Sequence, residues 1–94
     1  MELSDYRKEF DEIDKGLLDL FLRRMDLSAE IASYKQEKNI PVYDPVREQQ
    51  KLQELKSMAN EEYHAYITAL YSLLFELSRD RQERELLGSR REIS

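Results

Sequence analysis

Arg7, Arg24, Lys35, Arg47, Glu48, Ser78 and Gln82 give this 94-residue chain four cations, one carboxylate, a hydroxyl and an amide that could act together. Such a set suits a small ligand with two carboxylates and a hydroxyl, because the planar guanidinium fork meets a carboxylate with two parallel hydrogen bonds. Arg24 is the most telling of them. It interrupts the row Leu3, Tyr6, Phe10, Ile13, Leu17, Leu20, Arg24, Leu27, Ile31, Tyr34, whose spacings alternate between three and four, the signature of one continuous packing seam on a helix. An unpaired charge buried in such a seam costs on the order of several kcal/mol. It needs an anion, from an acidic residue of another chain or from a ligand.

The other positions allow similar pairs of readings. Lys35 follows Arg24 by eleven residues, three helical turns, so the two project from nearly the same face; Lys35 is either a surface lysine with its stem along the apolar side or a second cation of one site. Asp44-Pro45 reads as an N-cap followed by proline at the first helical position. Arg47 then stands in the first turn, where the helix dipole disfavours a cation, and Glu48 lies one place past the capping-box position. Neither residue serves the helix. Ser78 and Gln82 continue the row Ile67, Tyr71, Leu74 at helical spacing, so an apolar row turns polar near its end, by fraying into solvent or by facing a ligand.

Nucleophilic catalysis lacks its usual parts. There is no cysteine, and His64, the single histidine, has no acidic or hydroxyl partner at helical spacing and reads as a surface residue. One histidine with scattered carboxylates gives no useful metal-ligand spacing. The six tyrosines read as core and seam rather than a platform for bases.

The elements that must position these residues are helices. Two prolines and two glycines leave little room for strands and turns. The spacing predicts a first helix from about Leu3 to Lys38, stopping before Asn39-Ile40-Pro41 because the residue preceding proline is driven from helical geometry. A second runs from about Pro45 to Met58, and a third, with Asn60 as candidate N-cap and Tyr63, Ile67, Leu70, Leu74 and Leu77 as its stripe, from about 61 to 87 near Gly88. The polar tail Ser89 to Ser94 should fray. The expectation is an all-α chain of three helices forming one domain over residues 1–94.

At 1.5 Å per residue the first helix would be roughly 50 Å long, too long for a lone globule of this size. A second copy of the chain is the natural cover for its seam. Arg7 lies seventeen residues before Arg24, turned by about 100° and displaced by roughly 25 Å, so it cannot reach a small ligand held between Arg24 and Lys35. If two such helices cross antiparallel around Gly16 to Leu20, Arg7 of one chain falls near Ser28 of the other. An interlocked antiparallel homodimer with two mixed, symmetry-related sites would follow.

A net charge of −5 argues against nucleic acid or an anionic membrane as the main partner. Without cysteine no disulfide framework is available, and the start of the chain has no cationic and apolar leader pattern. A soluble, cytoplasmic protein is expected.

From about Leu3 to Gln82, with the stretch Pro-Val-Tyr-Asp-Pro-Val-Arg-Glu at residues 41 to 48, the chain resembles the small all-helical chorismate mutases of the AroQ class. That resemblance implies the rearrangement of chorismate to prephenate on the route to phenylalanine and tyrosine, with no nucleophile and no cofactor. It assigns Arg7, given to the partner's site, and Arg24 to the substrate carboxylates, assisted by Arg47 and Ser78. Lys35 and Gln82 direct donors at the ether oxygen, and Glu48 with the Asp44 backbone N–H holds the ring hydroxyl. The interlocked dimer is also what the family implies. Isochorismate pyruvate lyase, which shares the fold, a non-catalytic helical dimer or regulatory subunit, and a mutase activated by a larger shikimate-pathway enzyme are the other readings. A chain of this length is expected to be monofunctional.

Overall fold

The computed structural model describes the backbone of residues 1–93 and the side chains of residues 1–88. Helix α1 spans Leu3–Glu37, α2 Pro45–Ser57 and α3 His64–Ile93, with a 3₁₀ turn at Glu61–Tyr63 leading into α3. No strand occurs among the described residues. The molecule measures 58 × 28 × 15 Å, and its radius of gyration is 17.0 Å. A compact chain of this length would have about 12 Å. Very little is therefore enclosed: Ala32 is the buried apolar residue of the described chain, and Ser28 and Gln82 are its buried polar ones.

The ends of α1 follow from local chemistry. Its first turn is closed by the Glu2 N–H, which donates to Asp5 Oδ2 at 2.8 Å. At the other end Asn39 adopts φ 58°, the left-handed conformation that asparagine tolerates better than most residues. The Ile40 N–H then reaches Lys35 O at 2.8 Å and the Asn39 N–H reaches Gln36 O at 3.2 Å, the paired bonds of a Schellman closure. The helix consequently ends at Glu37 with Lys38 as its cap. The closure folds the following loop back onto Lys35, whose Nζ donates to Val42 O at 2.9 Å.

At the start of α2, Asp44 Oδ1 accepts from the Arg47 backbone N–H at 3.0 Å and Pro45 takes the first helical position. That cap fixes the orientation of the first turn, and with it Arg47 and Glu48. Nothing on α2 is fully buried; Glu48, Lys51, Leu52, Leu55 and Lys56 are its half-buried residues.

α3 packs along α1, but against a stripe beside the expected seam. Phe21, Met25, Ser28, Ala29 and Ala32 are buried or half-buried on α1, whereas Leu3, Tyr6, Phe10, Ile13, Leu17, Leu20 and Leu27 remain 51–66% exposed. The small residues Ser28 and Ala32 let the helices approach, as small side chains do at close helix contacts. On α3 the inward row is Ile67, Tyr71, Leu74, Ser78 and Gln82, while Tyr63 and Leu70 of the expected stripe face outward.

Four expectations need correction. The third helix begins at His64, after the 3₁₀ turn, and Asn60 makes no side-chain capping bond. It also runs beyond Gly88 to Ile93, because Gly88 keeps an ordinary negative φ and provides no left-handed stop. His64 is half-buried rather than on the surface; its Nε2 lies 3.1 Å from Ala59 O and helps tie the turn before α3. The extension of α3 also overturns the expected fraying of the tail, whose backbone is helical through Ile93; residue 94 lies outside the described residues.

Candidate active site

A cleft of about 340 Å³ opens where the C-terminal half of α1, the loop after it, the first turns of α2 and the middle of α3 meet. Seven of the eight residues expected to form a site line it: Arg24, Lys35, Asp44, Arg47, Glu48, Ser78 and Gln82. Arg7 does not, being exposed on the far N-terminal part of α1. The lining holds five cations, Arg24, Lys35, Arg47, Lys51 and Arg79, against two carboxylates, Asp44 and Glu48. A chain of net charge −5 thus concentrates positive charge in one concavity, which focuses its field on an anion.

Three of these cations have no carboxylate partner among the described residues. They are Arg24, Lys35 and Arg47, whereas Lys51 lies 3.5 Å from Glu54 and Arg79 is paired with Glu48. Arg24 is half-buried, its guanidinium 6.0 Å from the centre of the Tyr71 ring. Lys35 spends one of its three donors on Val42 O, leaving two N–H groups. The arrangement can receive a small molecule carrying two negative charges.

The floor of the cleft is a chain of hydroxyls and an amide. Ser28 Oγ donates its single proton to Arg24 O at 2.8 Å. Its 2.7 Å contact with Ser78 Oγ therefore requires the Ser78 hydroxyl to donate, and Ser78 Oγ in turn accepts from Gln82 Nε2 at 3.2 Å. This ordering sets the amide of Gln82, which is 5% exposed, and leaves it a second N–H to give. Its buried Oε1 finds no partner among the described residues.

Glu48 is held by a residue the sequence did not single out. Arg79 Nη1 lies 2.6 and 2.5 Å from the two carboxylate oxygens, and its guanidinium stacks 4.8 Å from the centre of the Tyr43 ring. The bond to Glu48 is the main reason that the Arg79 guanidinium binds its proton even more firmly than usual. The other overlooked member is Ser28, four residues after Arg24 on the stripe that receives α3. Among the described residues no group of three or more His, Cys, Asp or Glu could hold a metal ion, and no helix is long and apolar enough to cross a membrane.

Comparison with known proteins places this chain in a family. The model for chorismate mutase type II matches residues 6–83, a span containing every candidate site residue. The chain is similar to a chorismate mutase of Methanocaldococcus jannaschii, 33% identical over 60 residues, 64% of this chain and 61% of that protein. It is similar to a T-protein of Enterobacter agglomerans, 43% identical over 47 residues, 50% of this chain and 13% of that protein. A 4-amino-4-deoxychorismate mutase of Streptomyces venezuelae is 44% identical over 46 residues, 49% of this chain and 45% of that protein. The chain thus spans between about an eighth and three fifths of these relatives' lengths. With a family match over most of its length and a helical cleft built from the residues expected of it, the chain belongs to the chorismate mutase type II family.

Proposed function

We propose that this chain catalyses the rearrangement of chorismate to prephenate in aromatic amino acid biosynthesis, acting as an antiparallel homodimer. The observation that carries the reading is the convergence of Arg24, Lys35 and Arg47, none salt-bridged to a carboxylate among the described residues, with Ser78, Gln82 and Glu48 in one cleft. The reaction breaks an ether C–O bond and forms a C–C bond within one molecule, so it consumes no nucleophile and moves no proton. Catalysis then consists of holding the enolpyruvyl arm over the ring and stabilising the charge that grows on the ether oxygen.

The roles follow from donor chemistry. Arg24 and Arg47, with Arg7 of the partner subunit, hold the two carboxylates, and Ser78 turns its hydroxyl from Ser28 to assist. Lys35 and the free N–H of Gln82 meet the ether oxygen. Glu48 retains unused lone pairs beyond those facing Arg79 and accepts from the ring hydroxyl, with the Asp44 N–H beside it. The dimer is supported by the exposed apolar row from Leu3 to Leu20, which nothing in the described chain covers.

The test is turnover with chorismate and isochorismate offered in parallel. Prephenate from chorismate is expected; pyruvate released from isochorismate, with chorismate untouched, would assign the cleft to a lyase instead. Gln82→Glu supplies a sharper check of the donor role. A carboxyl at this buried position donates only when protonated, and burial raises its pKa. Activity should therefore be present at acid pH and disappear as pH rises through that pKa, while the parent enzyme keeps its activity through neutrality. A flat pH–rate profile in the variant would remove Gln82 from the ether oxygen.

A further inference from the structure

We propose that Arg79 determines specificity at the ring-substituent corner of the site: by occupying the Glu48 carboxylate it fits that corner to a neutral hydroxyl and against a cationic amine. The inference rests on reading the cleft as a chorismate site with Glu48 as the partner of the ring hydroxyl. Arg79 sits on α3, 31 residues from Glu48, and no local helix rule brings the two together. The pair is only 29% and 24% exposed, so its charges are incompletely screened.

A lone carboxylate at this position would bind an ammonium more strongly than a hydroxyl, since the ammonium adds a full charge to the hydrogen bond. With Arg79 already on both oxygens, the carboxylate's charge is largely answered and a second cation meets repulsion from the guanidinium. A hydroxyl loses nothing, because it needs only one spare lone pair. Tyr43, whose ring lies 4.8 Å from the guanidinium, holds Arg79 in place when substrate enters. Arg79 acts through Glu48 and is thus a positioning residue. Its effect should appear in the choice between chorismate and 4-amino-4-deoxychorismate, which differ in that substituent.

The experiment compares kcat/KM for these two compounds in the parent protein, Arg79→Gln and Arg79→Lys. The glutamine variant keeps a hydrogen-bond donor towards Glu48 but no charge, and its preference for chorismate over the amine should fall by about tenfold or more. The lysine variant keeps the charge and should hold the parental ratio within about threefold. Arg79→Met gives the same neutral comparison if the glutamine variant does not fold. An unchanged ratio in the neutral variant, with chorismate still turned over, would overturn the proposal, as would equal losses in the glutamine and lysine variants. Parent protein inert towards both compounds would instead overturn the site reading beneath it, so the two failures are distinguishable.

Discussion

Lys35→Ala is expected to lower kcat by about a thousandfold while KM changes by less than about tenfold. The ammonium stands half-buried in the cleft with one donor on Val42 O and two to spare. In the proposed reaction its charge would meet negative charge that appears on the ether oxygen only as the C–O bond breaks, so its loss would fall on the transition state rather than on binding. Because Lys35 also pins the loop, Lys35→Met, which keeps the stem but not the donors, should be as slow as the alanine variant. Steady-state kinetics with a thermal melt of each variant separates chemistry from folding. An unchanged kcat in a folded variant would remove Lys35 from the ether oxygen.

The second large effect concerns the proposed sharing of each site between two chains. Arg7→Ala and Arg24→Ala should each be at least a hundredfold less active as homodimers, by about the cost of a charged partner removed from a bound carboxylate. Unfolded together and re-paired in equal amounts, they should regain about a quarter of parental activity. Half the dimers are then mixed, and in each mixed dimer one site carries both lesions and the other carries none. No recovery, with mixed dimers verified by tagging one variant, would contradict the crossed-site geometry.

Much of this architecture is legible in the residues because local rules govern it. Asp44-Pro45 declares the start of α2 through capping and fixed φ, and the polar end of the row Ile67, Tyr71, Leu74 points to Ser78 and Gln82 before any packing is known. The stripe on α1 that receives α3 was less legible. The large apolar residues advertise a seam, whereas the contact uses Ser28 and Ala32, whose value is smallness rather than hydrophobicity. Arg79 was hidden for another reason: its partner is distant in sequence, and on α3 it reads as one more solvated arginine. Gly88 suggests an end to α3 in the sequence, but a glycine stops a helix in this way only when it takes a positive φ, and Gly88 does not. How two chains meet is a property of the pair, and the exposed row on α1 marks only the surface that needs covering.

The most direct measurement is the product of the purified protein acting on chorismate: loss of the diene absorbance, with prephenate identified by its acid conversion to phenylpyruvate. Prephenate should form at least about ten thousandfold faster than the uncatalysed rearrangement at the same temperature, and Lys35→Ala should abolish most of that gain. Chorismate consumed no faster than in buffer, by protein shown to be folded and dimeric, would contradict the account.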